Sequence, residues 1–372
     1  MKRKALICVG IMFAVVAFGS LMVQPQKAMA KPITLTMQAT WPAGSTLYDN
    51  FLMYAKQVKE MSGGRLIIKT LPAGAIVPAF EVIDAVSRGV IDGGHAWASY
   101  WFGKNKAAAL FTGGPGGTFG MDFTDYLGWM YEGGGLKLYT EFYQDILKLN
   151  VVVFPIMPAG PQSFGWFKKP IKSFDDMKGL KMRVGGLAGI IFTRAGVNTV
   201  NLPGGEILPA AERGVIDAGE WVTPGEDMKM GFHEIWKNYY LPGMHENVTV
   251  AEILFNKAVW DKLPKDLQAI ARYASISTFI LWQSWFIKYN AQGLKDLVEK
   301  HGVNVQRTPD DVLYTFLKNW DAIAAEEAAK NPFFKKVFQS QKDYAGLVVP
   351  ARMFMFPEYK FAGEYYWGAA KK

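Results

Sequence analysis

The residue with the clearest chemistry in this sequence is Arg183. It lies in a strand-like stretch, residues 180–184, that leads into the pair Gly185-Gly186, where a side chain is able to point into a cleft. A guanidinium group offers a planar fork that matches a carboxylate through two parallel hydrogen bonds, which a lysine cannot do. Arg183 is therefore a candidate carboxylate-binding residue, and the alternative is a surface arginine in a salt bridge.

Glu220 and Glu246 are candidate ligands for a hard cation. Glutamate carboxylates, a glutamine amide and a backbone carbonyl suit Na⁺ or Ca²⁺ better than zinc. A monocarboxylate ligand, Arg183 and two ionised glutamates together carry two negative charges, which Ca²⁺ neutralises and Na⁺ only halves. Na⁺ suffices if Glu246 alone is charged. The alternative for each glutamate is an exposed or salt-bridged acid.

Motifs of catalysis are absent from the sequence. Its four histidines have no metal-ligand spacing, and His245-Glu246 lacks the second histidine, four residues after the first, of a zinc hydrolase helix. There is no Gly-x-Ser-x-Gly elbow and no phosphate-binding glycine motif, so the glycine-rich residues 113–120 are predicted to be a loop. We therefore predict that the protein is not an enzyme. The alternative is a lyase or hydrolase that uses Glu220 and Glu246 as acid and base.

The first thirty residues have the pattern of a signal peptide. Basic residues at positions 2–4 precede an apolar run at 5–23, and Ala28-Met29-Ala30 forms a small-x-small cleavage site. A membrane anchor is the alternative, because the apolar run approaches the ~20 residues that span a bilayer. We predict export to the periplasm with cleavage near Ala30.

The mature chain is cysteine-free and mildly basic. Its single cysteine, Cys8, lies in the predicted signal peptide, which excludes disulfides, thiolate metal sites and a cysteine nucleophile. The first thirty residues hold four basic residues and no acid, so the formal charge of +8 falls to +4 after cleavage. The basic residues are spread along the chain, which predicts no nucleic-acid partner.

An internal repeat predicts two similar lobes. The stretch Arg-Gly-Val-Ile-Asp at residues 88–92 recurs at 213–217, and each copy follows an amphipathic segment. Each copy is interpreted as a helix that ends at a glycine, followed by a strand at 90–97 or 215–222. Glu220, near the end of the second predicted strand, then occupies a position equivalent to that of His95 and Trp97 near the end of the first. We therefore expect the ends of the two strands to face a common cleft.

The remaining elements complete an α/β, two-lobed prediction. Residues 31–154 form the N-terminal lobe, with part of 249–300, and residues 155–248 form the C-terminal lobe. Residues 264–300 contain one glycine and, after Pro264, no proline, which predicts a single helix of ~50 Å that braces both lobes. Residues 301–372 are predicted to be helical, and the aromatic-rich tail at 348–367 packs either on its own chain or in a dimer contact.

Several of these motifs together point to a known family. The chain resembles the periplasmic binding subunits of tripartite ATP-independent periplasmic (TRAP) transporters, the DctP-type family, over essentially the whole mature sequence. The resemblance is carried by Trp41-Pro42, Gly-Val-Ile-Asp at 89–92, Gln162, Lys-Gly-Leu-Lys-Met-Arg at 178–183, Asp-Ala-Gly-Glu-Trp at 217–221 and Pro-Gly-Met-His-Glu at 242–246. It implies a periplasmic-binding-protein-like fold with a helical C-terminal extension.

The resemblance also implies a site and a ligand. The Glu-Trp pair and the Gly-x-His-Glu stretch are most similar to the branch that binds 2-oxo or 2-hydroxy monocarboxylates, such as pyruvate or lactate, with Na⁺ or Ca²⁺. In that branch the arginine grips the substrate carboxylate. The residues carried over are Arg183, Gln162, Tyr100, Trp221 and Trp41 for the substrate, and Gln162, Glu220, Trp221 and Glu246 for the cation. Asn247 departs from the pattern, since many relatives have proline there.

The implied function is capture of a small organic acid and its delivery to the membrane permease of a TRAP transporter. Its implied partners are the acid and the permease subunits, with a homodimer as a further expectation. A ligand sensor that never serves a permease is the alternative within the binding class.

Overall fold

The computed structural model describes residues 31–116 and 118–368, so the predicted signal peptide at residues 1–30 lies outside the described residues. Two mixed β-sheets with flanking helices form two lobes, which confirms the expected α/β architecture. The strands are β1 (Ile33–Ala39), β2 (Leu66–Leu71), β3 (Gly93–Ala96), β4 (Val151–Pro158), β5 (Gly165–Phe167), β6 (Lys181–Arg183), β7 (Asn198–Val200), β8 (Ala218–Gly219), β9 (Asn238–Leu241), β10 (Val250–Asn256) and β11 (Asn304–Arg307).

The helices surround these sheets and connect their strands. Short 3₁₀ turns occur at Ala79–Glu81, Ala98–Trp101, Lys106–Thr112, Thr118–Gly120 and Phe174–Met177, and a π turn at Phe142–Ile146. The α-helices are α1 (Thr46–Met61), α2 (Val82–Ser87), α3 (Phe123–Tyr131), α4 (Gly135–Glu141), α5 (Ala188–Arg194), α6 (Gly204–Glu212), α7 (Pro224–Met230), α8 (Phe232–Ile235), α9 (Lys257–Lys262), α10 (Lys265–Glu299), α11 (Asp310–Lys330), α12 (Pro332–Met355) and α13 (Tyr359–Trp367).

The first lobe is built on a sheet with the strand order β2-β1-β3-β10-β4. Strand β3 lies between a parallel neighbour, β1, and an antiparallel neighbour, β10. All seven residues of β10 are buried, as in a strand that is covered on both faces. The chain therefore returns to the first lobe after it has formed most of the second.

The second lobe repeats this arrangement around β8. Its sheet has the order β11-β9-β5-β8-β6-β7, and β8 lies between the parallel strand β6 and the antiparallel strand β5. The helices before β3 and β8 both end at a left-handed glycine, Gly89 with φ 73° and Gly214 with φ 71°. The repeat in the sequence is thus a structural repeat with one copy in each lobe.

Both repeat strands are shorter than the sequence predicts. The amide of Val90 donates to the Ala85 carbonyl at 2.9 Å, and the amide of Val215 donates to the Ala210 carbonyl at 2.9 Å. These bonds close the same helix-ending motif in each copy, with the glycine in the left-handed conformation. The residues just after each glycine therefore cap the helix instead of pairing in a sheet.

The long helix α10 joins both lobes, as predicted. In the first lobe, the Tyr54 hydroxyl of α1 donates to the Ala271 carbonyl at 3.1 Å. In the second, the Gly225 amide of α7 donates to Asn290 Oδ1 at 2.9 Å. A Cβ on Gly293 would lie 2.5 Å from the Gly225 Cα, so the two backbones are in direct contact.

The C-terminal region is helical from residue 310, as predicted, but residues 304–307 form a strand. Strand β11 pairs in parallel with β9 and extends the second sheet. The first part of the aromatic tail packs on its own chain, since Arg352 Nη1 pairs with Asp122 and Asp125 at 2.9 and 2.6 Å, whereas Phe354, Tyr359 and Trp367 are 94%, 98% and 84% exposed. Within residues 31–116 and 118–368, no helix has the length and apolar character needed to cross a bilayer.

Candidate functional site

All seven residues predicted for the site line a single cavity between the two lobes. The cavity has a volume of about 30 Å³, which leaves room for only a few water-sized groups. Its walls come from segments that follow strand ends in both sheets, where ligands of open α/β sheets usually bind. The predicted residues are Trp41, Tyr100, Gln162, Arg183, Glu220, Trp221 and Glu246.

Arg183 is held at the end of β6 by hydrogen bonds within the second lobe. Its Nε donates to the Leu202 carbonyl at 3.0 Å, and Nη1 donates to the Glu220 carbonyl at 2.9 Å and to Glu220 Oε1 at 2.7 Å. The side chain is only 2% exposed. These bonds use every hydrogen on Nε and Nη1, so Nη2 alone is left for a ligand. The expected two-nitrogen fork toward a substrate is thus replaced by a fork that is largely engaged with Glu220.

Glu220 is an ionised carboxylate with one oxygen, Oε1, engaged by two donors. Burial raises its pKa, but the charge of Arg183, the neighbouring His245 ring and the Gly185 amide outweigh that effect and hold the pKa below its usual value. The Gly185 amide donates to Oε1 at 2.7 Å, and His245 Nε2 lies 3.8 Å from Oε2. Because Oε1 has two donors, the cavity side of this group is Oε2.

An oxygen cluster forms where Gln162 meets the Glu-Trp pair. One terminal atom of the Gln162 amide lies 3.2 Å from the Trp221 carbonyl oxygen and 3.1 Å from Glu220 Oε2. If this atom is the amide nitrogen, it donates to both oxygens. If it is the amide oxygen, three acceptors meet without a hydrogen between them, an arrangement that a bound cation stabilises.

Glu246 has the environment of a cation ligand rather than of a salt-bridged acid. It is 1% exposed; Oε2 accepts a hydrogen bond from the Thr249 hydroxyl at 2.9 Å, whereas Oε1 has no hydrogen-bond partner. Burial raises its pKa well above the usual range, although Thr249 opposes this and the Glu220 charge adds to it. A buried carboxylate oxygen without a donor is costly unless a proton or a cation satisfies it.

The glycine-rich loop at 113–120 supports the segment that carries Glu246. The Gly116 amide donates to the Met244 carbonyl at 2.9 Å. A Cβ on Gly113 would lie 1.4 Å from the Val248 carbonyl oxygen, and Gly113 has φ 94°. Only glycine permits this approach, so the loop, predicted from its composition, also has a structural role at the site.

The donor set fits a hard cation. Oxygens of Gln162, Glu220, Trp221 and Glu246 line the same cavity, and amide, carbonyl and carboxylate oxygens are the ligands that Na⁺ and Ca²⁺ prefer. Across the described residues there is no cluster of three or more His, Cys, Asp or Glu side chains that could hold a metal ion, so a cation here would depend on amide and carbonyl oxygens beside the two carboxylates. The set is therefore better suited to a main-group cation than to zinc.

Aromatic rings close the remaining walls of the cavity. The Trp41 ring lies 5.9 Å from Tyr100 and 6.3 Å from Trp221, centre to centre, and the Arg183 guanidinium carbon lies 5.3 Å from the Trp221 ring centre. Burial raises the pKa of Tyr100 to about 12, with the Arg183 charge opposing it, so the phenol keeps its proton. Aromatic walls with a few convergent polar groups are typical of pockets for small organic ligands.

Sequence reasoning missed His95, Trp97 and Thr249 as site residues. The indole Nε1 of Trp41 donates to His95 Nδ1 at 2.5 Å, and His95 Nε2 lies 2.9 Å from Asn50 Oδ1. Burial lowers the pKa of His95 to about 3, so a neutral imidazole orients Trp41. Trp97 lines the cavity, and its Nε1 has no partner among the described residues. The position of His95 and Trp97 at the end of the first repeat was the only sequence signal for them.

Comparison with known proteins identifies the family. Residues 37–331 match DctP, described as bacterial extracellular solute-binding protein, family 7. The chain belongs to this family. A curated relative, the monocarboxylate 2-oxoacid-binding periplasmic protein of Nostoc sp., is 36% identical over 308 residues, which are 83% of each protein. The resemblance seen in the sequence motifs is thereby confirmed.

Two solved TRAP solute-binding proteins have closely similar folds. The protein from Bordetella bronchiseptica, a dimer crystallised with copurified calcium and picolinate, is 30% identical, with a TM-score of 0.84 over 92% of this chain and 99% of that one. The protein from Pseudoalteromonas atlantica, crystallised with sodium and pyruvate, is 34% identical, with a TM-score of 0.81 over 87% of this chain and 97% of that one. This DctP-family chain is therefore a solute-binding protein of the TRAP type.

Proposed function

We propose that this protein captures a small 2-oxo or 2-hydroxy monocarboxylate, such as pyruvate or lactate, together with Na⁺ or Ca²⁺ in the periplasm. It then delivers the acid to a TRAP membrane permease. The observation that carries the proposal is the placement in one aromatic-walled cavity of Arg183 Nη2 and of two carboxylates, Glu220 and Glu246, the latter with an Oε1 that has no hydrogen-bond partner. An anion needs the first group and a cation needs the second, so the cavity suits the pair of ions together.

Each side chain has a distinct part in this binding. Arg183 presents Nη2 to the carboxylate, while its bonds to Glu220 and Leu202 fix its orientation before the ligand arrives. The oxygens of Gln162, Glu220, Trp221 and Glu246 would hold the cation. When bound, the cation supplies the positive charge that lets these oxygens and an anionic ligand occupy the same buried space. Pre-oriented groups lose little freedom on binding, which favours affinity.

Charge decides between the two cations. Arg183 and Glu220 neutralise each other as a buried pair. The ligand then contributes one negative charge, and Glu246 contributes a second if it is ionised. Ca²⁺ therefore matches the site with an ionised Glu246, and Na⁺ matches it with a protonated one.

The decisive experiment identifies the ligand and the cation together. Mass spectrometry of small molecules released from the purified, denatured protein is expected to find a 2-oxo or 2-hydroxy monocarboxylate. Isothermal titration calorimetry with pyruvate is then run in CaCl₂, in NaCl, and in a sodium-free, chelated buffer. Unchanged affinity and thermal stability in the last buffer contradict a bound cation, and no binding in any buffer contradicts the ligand class.

Binding without turnover is the proposed activity. An acid and base pair of Glu220 and Glu246 is disfavoured because Glu220 accepts hydrogen bonds from Arg183 and Gly185 and is held ionised. Pyruvate incubated with the protein should be recovered unchanged and in stoichiometric amount. A product formed from it would support an enzyme instead. Uptake into vesicles that contain the permease distinguishes delivery from sensing.

We further propose that the protein forms a homodimer through its C-terminal arm, residues 353–367. The arm exposes a contiguous set of large apolar side chains, and patches of this kind are typical of protein interfaces. Supporting this, the Bordetella bronchiseptica relative is a dimer. The exposed side chains include Met353, Phe354, Met355, Phe356, Tyr359, Phe361 and Trp367.

A further inference from the structure

Glu226 is a buried carboxylate that connects the two lobes outside the proposed ion site. It lies in α7 of the second lobe, is 0% exposed and forms no ion pair with a cationic side chain of the described chain. The Ser45 hydroxyl and the Thr46 amide of the first lobe donate to its carboxylate at 2.6 and 2.8 Å, and the Thr46 hydroxyl also donates to it. Three of its hydrogen bonds therefore cross between the lobes.

These donors stabilise the Glu226 charge only while the lobes are in contact. Ser45 is the N-cap of the sixteen-residue helix α1, so the carboxylate lies at the positive end of the helix dipole as well as at three donors. Burial of a carboxylate is costly unless such donors compensate it. When the lobes separate, α1 moves away from α7 and water has to replace all three bonds.

The same carboxylate holds a wall of the ligand cavity in place. Trp221 Nε1 donates to Glu226 Oε1 at 3.1 Å. A Cβ on Gly204 would lie 2.3 Å from the Trp221 ring, so the ring rests against the start of α6 and has no room to retreat. The Trp221 ring is therefore held in place by Gly204 behind it and by Glu226 at its edge. The backbone carbonyl of Trp221 belongs to the oxygen cluster.

Helix α7 is bound to the long helix α10. Glu226 therefore keeps its position in the second lobe when the first lobe moves. The Tyr289 hydroxyl of α10 donates to the Gly225 carbonyl at 3.2 Å, in addition to the bond between the Gly225 amide and Asn290. A second contact between the lobes, from Lys229 to Asp49 at 2.8 Å, is more than a third exposed at both ends. Exposed ion pairs of this kind contribute little, so the buried contact dominates.

We infer that Glu226 is a positioning residue that latches the closed form, joining Trp221 at the ligand cavity to the N-terminus of α1 in the other lobe. The inference rests on the proposed function for its choice of ligand. It predicts that loss of the latch speeds ligand release more than it slows capture, because the latch forms only after the lobes have closed.

The test compares Glu226→Gln with Lys229→Gln, which removes the exposed contact between the same two helices. Stopped-flow tryptophan fluorescence gives the rates of pyruvate binding and release in CaCl₂. We expect Glu226→Gln to raise the release rate about tenfold or more, the loss typical of a hydrogen-bonded charge, and to change the binding rate less than about twofold. Lys229→Gln should stay within about twofold on both rates. Thr46→Val, which removes one donor from the other lobe, should raise the release rate by an intermediate factor and tests the latch even if Glu226→Gln does not fold.

Lobe separation is measured independently with spin labels on Glu60→Cys and Glu234→Cys, which are exposed positions in different lobes of a mature chain without native cysteine. Glu226→Gln should shift the inter-lobe distances to longer values than those of the labelled wild type, with and without pyruvate. Wild-type release rates and distances in both Glu226→Gln and Thr46→Val would overturn the latch. Failure of the wild type to bind pyruvate contradicts the proposed function instead, and the ligand-free distances then decide on the latch.

Discussion

Replacing Glu246 by glutamine separates cation binding from folding, because the two effects have opposite signs. Glutamine has the shape of glutamate and keeps an acceptor for the Thr249 hydroxyl, but it lacks the charge that a cation requires. Burial raises the pKa of Glu246, so keeping this carboxyl in the cation-free fold costs stability at pH 8, where the unfolded chain ionises it. Glu246→Gln should therefore be at least as stable as the wild type in a chelator, yet gain nothing from calcium.

The size of the calcium effect follows from linkage. A ligand at 100 times its Kd that binds only the folded state adds about 2.7 kcal/mol to the free energy of unfolding. An unfolding entropy of about 2.1 cal/mol/K per residue gives about 0.7 kcal/mol/K for about 340 residues. The wild type should therefore gain about 4 °C in Tm from CaCl₂ with pyruvate, and Glu246→Gln less than about 1 °C.

The assay is differential scanning calorimetry at pH 8, first in chelator and then in CaCl₂ with pyruvate. Glu60→Gln is the matched control, since Glu60 is a surface acid that is 63% exposed and forms an ion pair with Lys56. It should give the wild-type calcium response. A full calcium-dependent rise in Glu246→Gln, or a lower Tm than the wild type in chelator, would refute the assignment of Glu246 as a cation ligand.

Three further changes test other parts of the molecule. Arg183→Lys should weaken pyruvate binding by about 2–5 kcal/mol in calorimetry, because a lysine cannot hold Glu220 and a ligand together. Glu252→Gln should become more stable relative to the wild type as the pH rises from 5 to 8. Tyr139, Tyr143 and Trp101 donate to Glu252, but burial raises its pKa to about 7. Its contribution to stability is thus complete below about pH 4 and lost through pH 7, about 3 kcal/mol in all. Truncation after Phe356 should give a monomer in light scattering with unchanged pyruvate affinity, because α13 lies outside the cavity.

Each of these expectations has a clear contrary result. Wild-type affinity in Arg183→Lys means that the carboxylate binds elsewhere in the cavity. A difference in stability between Glu252→Gln and the wild type that does not vary with pH means that Glu252 does not titrate on unfolding in this range. A truncated protein that remains dimeric means that residues 357–367 of the C-terminal arm do not form the interface.

Elements with local signals were predictable from the sequence. Helix α10 differs from its prediction by one residue at each end. The two repeat helices end at the predicted glycines because only glycine adopts the left-handed conformation freely. Strand β11 was missed because its four residues are a strand only through pairing with β9, which lies more than sixty residues earlier.

The chemical identity of the site was likewise present in the sequence, since residue type alone limits Arg183 to anions and the glutamates to cations. The tertiary structure decided how those groups are used. Arg183 leaves one nitrogen rather than a fork toward the cavity because Leu202 and Glu220 occupy the others. His95 bonds to Trp41, which is 54 residues away in the sequence. Glu226 bonds to Ser45, which is 181 residues away. Hydrogen bonds between such distant segments depend on how the lobes pack, and no local pattern in the sequence encodes that packing.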